Sequence, residues 1–333
     1  ERPQPVGRPL TAAGLVAELR QVAADPVAPA VLREAACRRL ARLASPQGGV
    51  PRLAAAADPD RWWGLAPLSD DGPLVRGEET VRISPSRVES YDTCALRWLL
   101  EGAVGVAGTT GPAQVLGTLV HALAELGSGP AALPEPALVA RLDEVLPELD
   151  LGAPWALVRR RAEAVEQLGK FLRWAAAQTR ELVGTELTLE VPFGDRAVLA
   201  GRVDRLERDP AGRGVVVDLK TGSSKPGKTE LGRHPQLGVY QLAIALGAFA
   251  DSHALTTPGG AALLQLKGTK QADEQRQGAL GDDADPSWAR ALVARVVEGM
   301  SGSTFAATVN DNCRSCKVRA SCPAQPEGQG VVR

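Results

Sequence analysis

The stretch from 200 to 222, with the sequence AGRVDRLERDPAGRGVVVDLKTG, restricts the possible folds more than any other part of the chain. Two runs of branched and apolar residues flank Asp209-Pro210-Ala211-Gly212, where proline and glycine interrupt strand pairing. The pattern predicts a β-hairpin. A chain of 333 residues, 44% of them hydrophobic, can bury a sizeable core around such a hairpin.

Carboxylates occur on both strands of the predicted hairpin. Side chains alternate across a strand, so Asp218 and Lys220 share one face, while Val217 and Leu219 point to the other. Pairing of the strands can bring Asp204 beside Asp218. Two carboxylates that close repel each other unless a cation neutralises them, and Mg²⁺ and Mn²⁺ prefer oxygen ligands. The hairpin therefore predicts a divalent metal site.

The motifs G-x-V-D-R and V-V-D-L-K-T-G in this hairpin resemble the metal-binding core of the PD-(D/E)XK nucleases, in the form found in RecB, AddB, AdnA and AdnB. The resemblance implies an α/β fold with a restriction-endonuclease-like core, in which a mixed central sheet is flanked by helices. It implies metal-dependent hydrolysis of DNA phosphodiesters. Asp204, Asp218 and the main-chain carbonyl of Leu219 would bind Mg²⁺ or Mn²⁺, and Lys220 would orient or help deprotonate the attacking water.

Two further site residues follow from the resemblance. His121 ends a G-T-x-x-H motif on a predicted helix, where the family places its metal-binding histidine. By itself, a lone helical histidine is more often structural or solvent-exposed. Glu190 lies on the strand before the hairpin, where the family often has a glutamate that faces the metal and would act through a bound water. Glu186 shares that face of the strand, so the choice between the two glutamates stays open.

Gln236 and Tyr240 lie four residues apart on a predicted helix just after the hairpin, and therefore share a helix face. They match the Q-x-x-x-Y motif of these nucleases, which implies contact with DNA and support of the active site. The net charge of the chain is −1, so DNA binding would depend on local basic patches. Residues 159–161 and 225–228 are candidates, although either run could also be a solvated face.

An alternative chemistry comes from Gly222 to Thr229, which formally match the phosphate-binding loop G-x-x-x-x-G-K-[ST]. Such a loop needs a sustained helix after it, whereas Gly232 and Pro235 interrupt the helical pattern within two turns. The strand predicted near 261–267 also lacks a magnesium-binding aspartate. A P-loop NTPase is therefore the weaker interpretation, and a polar, flexible loop that touches DNA phosphates is favoured.

The helix predicted from Ser84, which can cap it, carries Cys94. The string ISPSRVESYDTCALRWLLE resembles the first helix of RecB-like nuclease domains that contain an iron–sulfur cluster. Cys313, Cys316 and Cys322 form a C-x₂-C-x₅-C cluster near the other end of the chain. Four thiolates suit either tetrahedral Zn²⁺ or an iron–sulfur cluster, and the spacing does not choose between them.

The arrangement of one cysteine before the nuclease core and three after it is similar to the [4Fe–4S] site of AddB, AdnA and AdnB. This resemblance implies a structural cluster that joins the C-terminal segment to the helix from Ser84. The remaining cysteine, Cys37, lies beside an apolar helical stripe, and we expect it to be a small buried residue.

The sequence predicts two regions: a helical accessory segment and linker over 1–80, and a nuclease domain with a C-terminal iron–sulfur segment over 81–333. The resemblance further implies the C-terminal nuclease portion of a helicase–nuclease that resects double-strand breaks for recombinational repair. Its partners would be single-stranded DNA, a helicase motor region and a paired subunit. The leading alternative is a non-catalytic DNA-binding or scaffold module of such a complex, which the intact Asp204, Asp218 and Lys220 argue against.

The hydropathy of the sequence predicts the cellular location of the protein. No apolar run approaches the roughly 20 residues needed to span a bilayer, and no signal-peptide pattern opens the sequence. We therefore expect a cytoplasmic protein without membrane contacts.

Overall fold

The structure is a computed structural model that describes residues 11–45, 54–61, 71–77, 79–105, 111–149 and 151–326. The described residues fall into two compact units. One unit lies within 72–306, and the other combines residues of 1–71 and 307–333.

The larger unit is built on a mixed six-stranded sheet. Its strands are β1 (Val81–Ile83), β2 (Glu181–Phe193), β3 (Ala197–Arg208), β4 (Gly214–Lys220), β5 (Pro258–Gln265) and β6 (Asp273–Gln277). The strand order is β1-β3-β4-β5-β6, and β2 pairs with β3. The β1–β3 and β4–β5 pairs are parallel, whereas the other pairs are antiparallel. The predicted α/β class with a mixed central sheet is confirmed.

Strands β3 and β4 form the predicted hairpin, in which 205–208 pair with 214–217. The turn is closed by the Asp209 carboxylate, which accepts hydrogen bonds from the main-chain N–H groups of Ala211 and Arg213 at 2.9 and 2.8 Å. Gly212 adopts a positive φ of 79° at this turn, a conformation that glycine reaches without a Cβ clash. Turn chemistry therefore fixes the register of the hairpin.

Helices of the described residues flank the sheet or form the smaller unit. They are α1 (Ala12–Ala24), α2 (Ala30–Ala44), α3 (Pro85–Thr93), α4 (Ala95–Trp98), α5 (Pro112–Leu126), α6 (Glu135–Val145), α7 (Pro154–Ala176), α8 (Lys228–Gly232), α9 (Pro235–Ala245), α10 (Ala250–His253) and α11 (Trp288–Ser301). No helix among these residues is long and apolar enough to cross a membrane.

The two faces of the sheet pack against different helices. Val216 of β4 belongs to the core cluster that contains apolar residues of α3, α9 and α11. Val217 and Leu219 belong to a second cluster, formed with α5, α6 and α7. The side chains of β4 thus alternate as the sequence predicts, and Asp218 and Lys220 lie on the α9 face.

Helix α3 begins as predicted, because Ser84 Oγ accepts a hydrogen bond from the main-chain N–H of Arg87 at 3.3 Å. It ends at Thr93, and Cys94 has an extended backbone between α3 and α4.

The smaller unit contains α1 and α2, which lie in the segment predicted to be helical. Thr11 caps α1 by accepting a hydrogen bond from the main-chain N–H of Gly14 at 3.1 Å. Val16, Leu40 and Ala57 form the buried cluster of this unit. The prediction that Cys37 is buried is wrong, because its side chain lies on the exposed part of α2.

Candidate active site

Three side chains that can bind a metal converge beside the hairpin. Ligand atoms of His121 on α5, Glu186 on β2 and Asp204 on β3 all lie within 4.8 Å of one another. His121 Nδ1 is 3.5 Å from Asp204 Oδ2. All three line a cleft of about 410 Å³. We call this group, which lines the cleft, the open face of the site.

The main chain at Glu186 is strained. Its φ is 51°, in the left-handed region that costs a non-glycine residue about 1–3 kcal/mol. Glu186 lies between Thr185 and Leu187, which pair with Arg205 and Val203 of β3. It therefore faces Asp204 across the strand pair. Burial, and then the charge of Asp204, raise the pKa of Glu186. The two neighbouring carboxylates repel each other when both are ionised, and a bound cation would relieve this repulsion.

Glu190, the other glutamate considered from the sequence, lies apart from this group. Its Oε2 is 2.9 Å from Nη2 of Arg82 on β1, and both side chains are exposed. Glu190 is four positions further along the strand than Glu186, which at roughly 3.3 Å per residue is a distance of about 13 Å. The glutamate beside His121 and Asp204 is thus Glu186.

Asp218 lies across the strand pair from Asp204 and is almost fully buried. Its Oδ2 is 2.7 Å from Lys220 Nζ. Its Oδ1 accepts hydrogen bonds from Gln236 Nε2 at 2.8 Å and from Tyr240 Oη at 3.1 Å. We call these four residues the closed face of the site.

Burial dominates the ionisation of the closed face. It raises the pKa of Asp218 to about 6, although the neighbouring Lys220 acts in the opposite direction and Asp204 adds a further increase. Burial alone would lower the pKa of Lys220, but Asp218 raises it above the usual range. The lysine therefore stays charged beside the aspartate.

Gln236 and Tyr240 share a helix face as predicted, and both turn that face toward the carboxylate. Gln236 Oε1 also accepts a hydrogen bond from Lys220 Nζ at 2.7 Å. Both side chains are at least 95% buried, and their contact with DNA stays a prediction. In the described structure they hold Asp218 and Lys220 in place.

One hydrogen bond connects the two faces. Asp204 Oδ2 accepts it from the main-chain N–H of Leu219 at 2.7 Å. Asp204 lies on β3 just beyond the paired residues 205–208, so continuation of the register sets it opposite Asp218. The structure thus brings together the predicted His121, Asp204, Asp218, Leu219 and Lys220 around the end of one hairpin.

Gly117 allows α5 to approach the end of β4. A Cβ atom at this position would lie 2.6 Å from Thr221 Oγ1, closer than real atoms approach. Thr221 and Arg202 also line the cleft. Neither Thr221 nor Arg202 is predicted as a site residue from the sequence. Their signals are weak: Thr221 directly follows Lys220, and Arg202 lies two residues before Asp204.

The cysteines of the proposed metal site differ in how deeply they are buried. Cys94 and Cys322 are buried, whereas Cys313 and Cys316 are partly exposed. In the part of the chain that the structure describes, Cys313, Cys316 and Cys322 do not come within 4.8 Å of one another as a set of three. The four-cysteine ligand set stays a prediction.

The chain is similar to known proteins. Residues 82–323 match the family described as the PD-(D/E)XK nuclease superfamily. No curated protein matches the sequence. A solved structure, that of SSO0001, is similar over 75% of this chain and 89% of that chain, with 16% sequence identity and a TM-score of 0.37.

Proposed function

Because the chain belongs to the PD-(D/E)XK nuclease superfamily, we propose that it hydrolyses DNA phosphodiesters with Mg²⁺ or Mn²⁺. The observation that carries this proposal is the convergence of His121, Glu186 and Asp204 next to the buried pair of Asp218 and Lys220. A scaffold module without catalysis would gain nothing from a strained glutamate opposite an aspartate, because that arrangement is unfavourable without a cation.

The donor set fits a hard divalent cation. Two carboxylates and one imidazole on the open face supply the oxygen-rich ligands that Mg²⁺ and Mn²⁺ accept. Asp218 already accepts hydrogen bonds from two side chains and pairs with Lys220, but an ionised carboxylate offers about four lone-pair sites. Asp218 and the carbonyl of Leu219 can therefore complete the site, as the sequence predicts. When bound, the cation would stabilise charge on the scissile phosphate and favour ionisation of water.

Lys220 would then act on the attacking water and on the developing negative charge. Its ammonium is held by Asp218 Oδ2 and Gln236 Oε1, both at 2.7 Å, so its direction is fixed before substrate binds. An ammonium donates protons and cannot coordinate a cation. Tyr240 and Gln236 contribute by keeping Asp218 in position.

The test is cleavage of single-stranded DNA with Mg²⁺ or Mn²⁺ by wild type and by Lys220→Ala. We expect the variant to lose cleavage and to keep most of its metal affinity in calorimetry. Loss of metal binding in the variant would contradict this division of roles. An inactive wild type that still binds DNA would instead favour the non-catalytic module.

We also propose a specific biological role for this nuclease. The G-x-V-D-R and V-V-D-L-K-T-G motifs resemble those of RecB, AddB, AdnA and AdnB, so the nuclease would act beside a helicase motor region and a paired subunit during double-strand break repair. Residues 81–333, which include the matched 82–323, would form the nuclease domain, and single-stranded DNA would be its substrate.

A [4Fe–4S] cluster held by Cys94, Cys313, Cys316 and Cys322 belongs to the same proposal, with structural Zn²⁺ as its alternative. Protein purified without oxygen should be brown and contain about four irons per chain. Cys313→Ala should bleach it, whereas Cys37→Ala, which changes an exposed cysteine on α2, should not. A colourless protein with one zinc ion would refute the cluster.

A further inference from the structure

The segment between β4 and α8 begins inside the site. Thr221 lines the cleft with His121 and Asp204, and the chain then continues through residues 222–228, which we call the lysine loop. The lysine loop contains Lys225 and Lys228 and no acidic residue. It is also the segment whose sequence matches a nucleotide-binding loop, a resemblance that the proposed catalytic chemistry does not explain.

The main chain of the lysine loop is held by glutamines of the neighbouring strands. Gln265 Nε2 on β5 donates a hydrogen bond to the carbonyl of Ser224 at 3.1 Å, and Gln275 Nε2 on β6 donates one to the carbonyl of Pro226 at 3.2 Å. Gln265 is fully buried. These contacts turn loop carbonyls toward the sheet and join the loop to it at two points, which the sequence did not predict.

The two lysines of this loop differ in their pairing. Lys225 Nζ is 2.7 Å from Asp273 Oδ2, and both side chains are partly exposed. A solvent-accessible pair of this kind contributes little to stability, so a phosphate can replace the carboxylate. Lys228 is exposed and has no carboxylate partner among the described residues.

A nucleoside triphosphate is the wrong ligand for this loop. Sites for free nucleotides place phosphate at the start of a sustained helix, whereas α8 has only five residues and ends at Gly232. A polymer whose phosphates continue from the cleft fits better, because the loop starts at Thr221 and its two lysines are three residues apart.

We propose that the lysine loop is a preformed binding site for the sugar–phosphate backbone of the strand whose scissile phosphate lies in the cleft. Lys225 and Lys228 each contact one phosphate beyond the cleaved one. Asp273 competes with the phosphate for Lys225 and limits the affinity. The inference rests on the proposed nuclease function for the identity of the ligand.

The experiment measures binding of a fluorescent single-stranded oligothymidine without added divalent metal, at several salt concentrations between roughly 50 and 200 mM. Lys225→Ala combined with Lys228→Ala should weaken binding and reduce the salt slope by about 1.4, since each phosphate contact on a single strand contributes about 0.7. Asp273→Asn should tighten binding, because it removes the competing charge. Opposite signs from two changes in one ion pair cannot arise from unfolding.

Arg141 and Glu144 provide the matched control. They form an exposed pair on α6 at 2.9 Å and do not line the cleft. Glu144→Gln should leave the affinity within about twofold, and Arg141→Ala should leave the salt slope unchanged. An increase in affinity with Glu144→Gln equal to that with Asp273→Asn would overturn the proposal, because it would reflect overall charge.

Further outcomes separate this proposal from the nuclease assignment. If wild type cleaves DNA but the double lysine variant binds the oligomer as wild type does, the loop site is refuted and the nuclease stands. If no cleavage occurs but binding follows the expected signs, the loop site stands alone. Calorimetric binding of Mg²⁺-ATP that is lost with Lys228→Ala would refute the backbone site in favour of a nucleotide loop.

Discussion

The open and closed faces of the site use the same hairpin in opposite ways. On the open face, Asp204 meets His121 and Glu186 in a cleft that reaches solvent. On the closed face, Asp218 is bound by three side chains and is only 4% exposed. One strand pair thus carries both a group suited to exchange ligands with solvent and a group that fixes the direction of a lysine.

The difference explains where charge is tolerated. Carboxylates on the open face repel each other. His121 and the exposed Arg202, whose Nη1 is 3.3 Å from Glu186 Oε2, oppose this repulsion. On the closed face, Lys220 compensates Asp218 directly. A bound cation would therefore relieve the repulsion on the open face, whereas Lys220 already compensates part of the charge on the closed face.

Removal of the closed-face carboxylate should have the largest effect. Asp218→Ala should lower cleavage about 1,000-fold or more, because it disturbs both the metal site and Lys220, and metal chemistry supplies several kcal/mol, with each 1.4 kcal/mol equal to about tenfold in rate. Steady-state cleavage with Mg²⁺ measures this effect, and a melting curve verifies the fold. Metal-dependent cleavage by pure Asp218→Ala at the wild-type rate would remove Asp218 from the site.

The open face should depend on Glu186 and not on Glu190. Glu186→Gln should weaken Mn²⁺ binding by roughly 10- to 100-fold, the range found when partners of bound metals are changed. Glu190→Gln changes only an exposed contact with Arg82 and should leave metal affinity within about twofold. Calorimetry on both variants decides the matter, and a larger loss with Glu190→Gln would reverse the assignment.

This pair of glutamates also shows how far the sequence could predict the site. Alternation in β4 correctly predicts the face of Asp218 and Lys220, because strand geometry alone determines it. The alternation of side chains in β2 cannot distinguish Glu186 from Glu190, since residues four apart are expected on the same face of a strand. The left-handed backbone at Glu186 and its position opposite Asp204 depend on tertiary pairing, which local sequence does not encode.

The helical part of the site follows a similar division. The four-residue spacing of Gln236 and Tyr240 predicts a shared face, but only the packing of α9 against the sheet reveals that this face is buried on Asp218. The attachment of the lysine loop to the sheet likewise depends on glutamines of β5 and β6, more than 35 residues further along the chain. Contacts between distant segments decide the roles that motifs leave open.

Metal affinity of the open face should depend on pH through His121. Burial alone would lower the pKa of His121, but the hydrogen bond that its ring donates to Asp204 and the charges of Asp204, Asp218 and Glu186 raise it. A protonated imidazole cannot bind metal, so affinity should fall by up to about tenfold per pH unit below that raised pKa and level off above it. Calorimetric Mn²⁺ titrations from about pH 5 to 8 cover this range.

Glu186→Gln gives the matched test of that pH dependence. It removes one of the charges that raise the pKa of His121, so the fall in affinity should begin at a lower pH than in wild type. Glu190→Gln should leave the profile in place. A pH profile unaffected by either change would mean that His121 does not contact the metal.

The smallest expected effect concerns the contact between α5 and the end of β4. Gly117→Ala would place a Cβ 2.6 Å from Thr221 Oγ1, so either the threonine rotates or the helix that carries His121 moves. We expect about a tenfold loss in kcat/KM, since a displacement of 1 Å can cost up to about 100-fold.

Thr221→Ala removes the oxygen that would clash and leaves the 3.7 Å contact with Cβ, an ordinary van der Waals distance. The double variant Gly117→Ala/Thr221→Ala should therefore cleave about as well as Thr221→Ala alone. If the two losses add instead, Gly117 acts through the backbone of α5 and not through its close approach to Thr221.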